Sequence, residues 1–271
     1  MKIEGKTVMN DENKPAIVFE DGASYENWMG VWSRLVGTHF VKWIEIEQGR
    51  HWLDVGCGSG AFSAQIADMC APSTIIGIDP SPQQIAFAKE RGVSGDTKFL
   101  IADAMDLPFP ENQFDISVMA LVLFFVPDPS IGVEQMVRVT KPGGTIAAYT
   151  WDVFGGGLPL EPIHSIMREM GIEYMLPPSK EASQISVMHQ IWKQFDLKQI
   201  ETKRFKVSRS FKGFDEYWAI NSLSPALAPV LADFSSRELS SFKQKLQETL
   251  DIGPGGFVIS EAAANAVKGI V

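Results

Sequence analysis

The stretch Leu53-Asp54-Val55-Gly56-Cys57-Gly58-Ser59-Gly60 constrains this chain more than any other. Before it, His51 to Val55 reads as a buried strand. After it, Ala61 to Ala67 reads as a helix. A strand that turns through glycines into a helix N-terminus leaves unpaired N–H groups and a positive dipole end facing one point. That arrangement suits a polar or anionic ligand group. Gly56, Gly58 and Ala61 also satisfy the loose G-x-G-x-x-[GA] dinucleotide pattern, so the loop alone does not choose its ligand.

Downstream segments narrow the choice. Ile75-Ile76-Gly77-Ile78-Asp79 reads as a second strand ending in an acid, and Phe99 to Ala104 as a third strand ending at Asp103. Phe114 to Val118 reads as a fourth, and Thr145 to Trp151 as a fully buried fifth after the turn Lys141-Pro142-Gly143-Gly144. Ser81-Pro82-Gln83-Gln84 combines an N-cap, a proline at the first helical position and a capping-box glutamine. A helix therefore starts directly behind Asp79. Alternating strands and helices imply a parallel sheet with helices on both faces, which binds ligands at the strands' C-terminal ends.

In this order the segments resemble class I S-adenosylmethionine-dependent methyltransferases, of the small-molecule type found in the ubiquinone/menaquinone-biosynthesis-like group. The resemblance spans roughly Trp52 to Trp151. It implies an α/β fold: a Rossmann-like, seven-stranded, mostly parallel sheet with its last strand antiparallel and a helical cap over the ligand edge. It implies residues 1–50 as an N-terminal helical cap, 51–153 as the cofactor-binding core, and 154–271 as acceptor-side helices with the last two strands. It assigns cofactor contacts to Asp54, Gly56, Cys57, Gly58 and Gly60, and ribose hydroxyls to Asp79, with Pro80, Ser81 and Gln84 beside it. It assigns the adenine side to Ala102, Asp103 and Ala104, with Asp106 as a rival acid, and the passage past the cofactor to Ala120 and Leu121. Asp115, at the opposite end of its strand, reads as structural.

Outside this half the residues say less. Ser24 is placed to cap a helix carrying Tyr25, Trp28, Met29 and Trp32, with a second helix from Leu35 to Ile46. The ordinary reading of this aromatic cluster is core packing. In similar methyltransferases such a helix lies across the cofactor, and Tyr25, Trp28, Met29 and Arg34 would then face the pocket. Arg34 would offer a planar fork to the methionine carboxylate, against the equal alternative of a solvated arginine. Residues 24–34 and 154–180 are expected to roof an acceptor pocket, with Phe154, Met167, Met170 and Met175 contributing. Lys198 to Ser208 reads as a strand bulged between Thr202 and Phe205. The alanines of the last segment favour a helix by propensity, whereas the resemblance makes it the antiparallel strand.

Methyl transfer needs positioning above all, so a base is optional. The candidates are His164, His189, Asp152 and Tyr149, with His164 first because it follows the fifth strand's edge. His39 and His51 read as structural. No Cys/His pair has metal-ligand spacing, so no metal is expected. Cys57, wedged between glycines, reads as a small loop residue rather than a nucleophile.

Composition removes several classes. With 271 residues and 45% hydrophobic content the chain can bury a substantial core. A net charge of −9 argues against nucleic acid as partner. No apolar run reaches membrane-spanning length. Two cysteines and the absence of a leader-like apolar stretch point to the cytoplasm. The expected function is S-adenosylmethionine-dependent methylation of a small, partly apolar molecule, releasing S-adenosylhomocysteine. The alternatives are cofactor binding without catalysis and an NAD-type oxidoreductase. Oligomeric state and the methylated atom are not written in these motifs.

Overall fold

The computed structural model describes residues 26–222, 224 and 227–271. Eight strands form one sheet: β1 (His51–Val55), β2 (Thr74–Asp79), β3 (Thr97–Ile101), β4 (Phe114–Ala120), β5 (Thr140–Trp151), β6 (Lys198–Phe211), β7 (Asp251–Ile252) and β8 (Val258–Ile270). Their order is β3-β2-β1-β4-β5-β8-β6, with the short β7 paired to β8. The β1–β2, β1–β4, β2–β3 and β4–β5 pairs are parallel, whereas β8 runs antiparallel to β5 and β6. The order reverses between β1 and β4, which opens a crevice beyond their C-terminal ends.

Alternation along the central strands feeds two helical layers. Trp52, Val118 and Tyr149 pack on one face with α1 (Val31–Ile44), α2 (Ala61–Cys70), α5 (Glu161–Glu169) and α9 (Ser236–Thr249). Leu53, Met119 and Ala148 pack on the other with α4 (Pro129–Val139) and α6 (Ile185–Trp192). Two further helices, α7 (Phe214–Asn221) and α8 (Ala228–Ala232), follow β6. The helix behind Asp79, α3 (Pro82–Glu90), starts as read: Pro82 opens it and Ser81 Oγ accepts the Gln84 N–H at 3.3 Å.

The structure differs from the local sequence readings in three places, and the last segment is the antiparallel strand that the resemblance implies. The N-terminal segment is one helix rather than two: a π-helical turn over Glu26–Gly30 runs into α1, which ends at Ile44 where Glu45 takes φ 54°. Trp32, Val36, Phe40 and Ile44 make one continuous buried stripe, so nothing interrupts it. Ser24 and Tyr25 lie outside the described residues. The Lys141–Gly144 turn lies inside β5: Phe114 pairs with Thr140 and Ile116 with Thr145, so the turn loops out as a bulge. In β6 the irregularity falls between Lys198 and Glu201, where Gln199 has φ 50°, and not at Thr202–Phe205. The slipped alternation there marks a change of covered face: Ile200 packs with one layer, whereas Phe205, Val207 and Phe211 are buried against the other. The alanine-rich C-terminus is β8. Ala262, Ala263, Ala264 and Ala266 are buried in a strand with neighbours on both sides, and pairing outweighs their helical propensity.

Candidate active site

The glycine loop leaves β1 with Gly56, Gly58 and Gly60 all at positive φ. Two of them have different work. A Cβ on Gly56 would lie 2.5 Å from Val122, so Gly56 permits close packing of the segment that follows β4. A Cβ on Gly58 would meet only Gln84 Oε1, at 3.9 Å. Gly58 therefore borders open space at the sheet's ligand edge.

Two carboxylates flank this loop. Asp79 ends β2; its Oδ2 accepts the Gly58 N–H at 3.0 Å and its Oδ1 the Ser81 N–H at 2.9 Å. Burial raises its pKa, and these two N–H donors oppose that rise. Each oxygen keeps a lone pair for a further donor. Asp54 is fully buried in β1. Ser63 Oγ of α2 donates to its Oδ2 at 2.6 Å, while Oδ1 has no hydrogen-bond partner among the described residues. Burial pushes its pKa to about 7, with Ser63 opposing and Asp79 adding to the rise. A buried carboxylate oxygen left unsatisfied is costly. It marks a place where a cationic or N–H-bearing ligand group would be stabilised.

The remaining predicted contacts gather on the same edge, with one outlier. The Ala102 N–H donates to the Asp79 carbonyl at 3.3 Å, which sets Ala102, Asp103 and Ala104 beside Asp79. Asp103 is exposed, and its Oδ1 accepts the Met105 N–H at 2.8 Å; Asp106 pairs with Asp103 through the backbone. Pro80 and Ser81 form the turn into α3. Cys57 donates its N–H to the Ile78 carbonyl, and burial pushes its thiol far up, so it is not a nucleophile at neutral pH. Arg34 is exposed on α1, its carbonyl accepting from Gln65 Nε2 at 3.0 Å. Its side chain is not on the cavity wall described next.

Beyond Ala120 the chain enters an apolar cavity. Leu121 holds a left-handed φ of 62°, rare for a branched side chain, and donates its N–H to the Tyr149 carbonyl at 2.8 Å. Leu121, Phe124, Phe125 and Trp151 line one part of the cavity, and Trp28 and Met29 another. Leu158-Pro159-Leu160, His164 and Met175-Leu176-Pro177 close it from the far side, with Ser224 at the wall. Both expected roofing segments thus supply walls, but not every expected residue does. Phe154 is 54% exposed and away from the cavity, and Met167 and Trp32 are core residues at 1% and 0% exposure. Met167 lies on the buried face of α5, one turn from His164, within the core where α5 meets α9.

Of the base candidates, His164 alone borders the cavity. Asp152 is committed elsewhere: Oδ1 accepts the Gly155 N–H and Oδ2 pairs with Arg204 Nε, both at 2.9 Å. Tyr149 is buried beneath Phe40 and Phe62. His189 is on α6, in the opposite layer; His39 stacks on Phe205, and His51 contacts Thr74. Asp115 is structural as read, accepting the His51 N–H and the Lys141 ammonium. Residue patterns gave no sign of Ser63 as the Asp54 partner, of Val122 against Gly56, or of Ser224. All three depend on tertiary approach between distant segments.

The strand order, the glycine loop and the acidic strand ends together define a Rossmann-like methyltransferase fold. Residues 53–148 match the family model of a methyltransferase domain. Among curated relatives, a demethylmenaquinone methyltransferase of Staphylococcus aureus is 30% identical over 149 residues, 54% of this chain and 58% of that protein. A sterol 4-C-methyltransferase of Caenorhabditis elegans is 32% identical over 113 residues, 41% of this chain and 34% of that protein. The matches thus span between a third and three-fifths of these relatives' lengths. Among solved structures, the YcgJ protein of Bacillus subtilis superposes with a TM-score of 0.55 at 17% identity, covering 86% of this chain and 97% of that one. A Haemonchus contortus phosphoethanolamine N-methyltransferase, solved with S-adenosyl-L-methionine, gives 0.53 at 19% identity, covering 87% and 52%. At these identities the structural likeness speaks for the fold alone.

Proposed function

We propose that this chain binds S-adenosylmethionine at the glycine loop and methylates a small, largely apolar molecule held in the neighbouring cavity. The observation that carries this reading is the adjacency of the two sites through one segment. Val122 packs against Gly56 of the loop while Leu121, its neighbour, lines the cavity.

The residues present fit the cofactor. Gly58 leaves room for close backbone approach, and Asp79 has acceptor capacity for two vicinal ribose hydroxyls. The unpartnered Oδ1 of buried Asp54 suits the positive end of an amino-acid group. Asp103 and the Ala104 N–H are placed for an adenine edge. When bound, S-adenosylmethionine supplies an electrophilic methyl group on a sulfonium. The protein's part is to orient the acceptor and exclude water, and the Trp28, Trp151, Phe124 and Leu121 walls do both. With these walls the acceptor class is apolar and compact. Aromatic faces next to a sulfonium also stabilise its charge.

Calorimetric titration with S-adenosylhomocysteine tests the first half. Transfer of radiolabelled methyl from S-adenosylmethionine to a panel of hydrophobic phenols, amines and thiols tests the second. Binding without transfer to any class would leave a binding protein. Absence of S-adenosylhomocysteine binding, with NADH binding instead, would overturn the proposal.

A further inference from the structure

The cavity wall is apolar except at two side chains, Ser224 and His164. Among the described residues, His164 is the one titratable group on it. It sits on α5 at 7% exposure, with Nδ1 buried and without a hydrogen-bond partner among the described residues. Its ring is held rather than loose. It stacks on Tyr174 with centroids 4.2 Å apart and planes within 2°, and Tyr174 Oη accepts from Arg168 Nη1 at 2.7 Å. Arg168 in turn pairs with Glu161. A polar ring fixed in place, buried and bordering an apolar cavity is a hydrogen-bonding partner for whatever fills it.

We propose that the acceptor is a flat apolar molecule bearing a phenol-type hydroxyl, which donates its hydrogen bond to a His164 ring nitrogen and is methylated on that oxygen. This rests on the methyltransferase reading above and deepens it. The atoms balance without a further reagent. The acceptor's O–H bond breaks, an O–CH3 bond forms, and the donor's S–CH3 bond breaks. The proton passes through His164 to solvent, the imidazolium being short-lived because burial and Arg168 disfavour its charge. Burial and the nearby Arg168 hold His164 at a pKa of about 4, so the ring enters the reaction neutral, with a lone pair available. A thioether or hydrocarbon acceptor would leave that lone pair unsatisfied. Its rejection is the specificity such a site gives.

The test compares 2-naphthol with 2-methoxynaphthalene, in which a methyl group replaces the donating hydrogen. Trp28 and Trp151 border the cavity, so their fluorescence reports binding without any turnover. The wild-type protein saturated with S-adenosylhomocysteine should bind 2-naphthol about tenfold more tightly, the value of one well-made hydrogen bond. His164→Phe keeps the stack on Tyr174 and should bind both probes alike, with unchanged S-adenosylhomocysteine affinity. Should His164→Phe not fold, nitrogen NMR of wild-type histidines decides. One imidazole must shift with 2-naphthol and not with 2-methoxynaphthalene. Equal binding of both probes by wild type, or discrimination that survives in His164→Phe, would overturn this proposal while leaving cofactor binding standing. Loss of S-adenosylhomocysteine binding by wild type would instead remove the reading beneath it.

Discussion

The Asp79 carboxylate accepts the N–H of Gly58 at 3.0 Å, tying the end of the second strand to the middle of the loop after the first. The side chain that we propose holds the ribose therefore also shapes the loop. Asp79→Ala should lose both functions. Each charge-assisted hydrogen bond lost costs about 1.5–3 kcal/mol, so S-adenosylhomocysteine affinity should fall at least tenfold. Calorimetry checks the fall. A 2′,3′-dideoxy analogue should lose less affinity in the variant than S-adenosylhomocysteine does, because only the loop-shaping role remains to be lost. Strong binding of that analogue by wild type alone would leave only the loop-shaping role.

Gly56 and Gly58 should respond differently to the same change. Gly56→Val drives a side chain into Val122, so its dominant effect should be lost stability, read as a lowered Tm. Gly58→Val meets nothing nearer than Gln84, so the strain of φ 52° is its main folding cost. It should stay folded by circular dichroism and lose cofactor binding. Near wild-type affinity in a folded Gly58→Val protein would show that the loop does not approach a ligand.

Met29 and Met167 separate wall from core. Met29 is half-buried and borders the cavity. Met29→Ala should change Tm little and alter the affinity of apolar probes. Met167, at 1% exposure, should cost about 2–5 kcal/mol when truncated to Ala, by loss of packing. Denaturant titration of the two variants, side by side, checks the contrast.

Asp54 gives the ligand-free protein a pH dependence. Its folded pKa of about 7 lies above the ordinary carboxylate value of 3.8, so the folded state favours the protonated form. Its contribution is full below pH 3.8 and is lost as pH rises through 7. Asp54→Asn cannot ionise, so stability relative to wild type should improve between pH 5 and 8, by roughly 2–3 kcal/mol at most. The same variant should bind S-adenosylhomocysteine more weakly. Parallel pH-stability curves for the two proteins would show that Asp54 is not buried as described.

Legibility followed local chemistry. The turn from β1 into α2, the Ser81-Pro82 helix start and the acidic ends of β2 and β3 are short-range patterns, and each was read at its place. The β8 strand was legible only through resemblance, since Ala262 to Ala264 favour a helix on propensity and become strand by pairing with β5 and β6. Site residues divide the same way. His164 was reachable because it follows the fifth strand closely. Met167, on the same helix, was misread as wall because spacing marks a buried face without saying what covers it. Trp151 at the cavity and Ser63 beneath Asp54 follow from contacts that close only in three dimensions.

The pair Leu121 and Val122 ties the two halves of the site into one mechanical unit. Leu121 is held left-handed by its bond to Tyr149, and Val122 fills the space that Gly56 leaves. Close-packed contacts transmit displacement rather than absorb it. A bulky acceptor pressing on Leu121 will be felt at Gly56, and a cofactor bracing Gly56 will stiffen the wall at Leu121. If donor and acceptor bind as proposed, filling either chamber should preorganise the other, with their affinities coupled by the same factor in both directions.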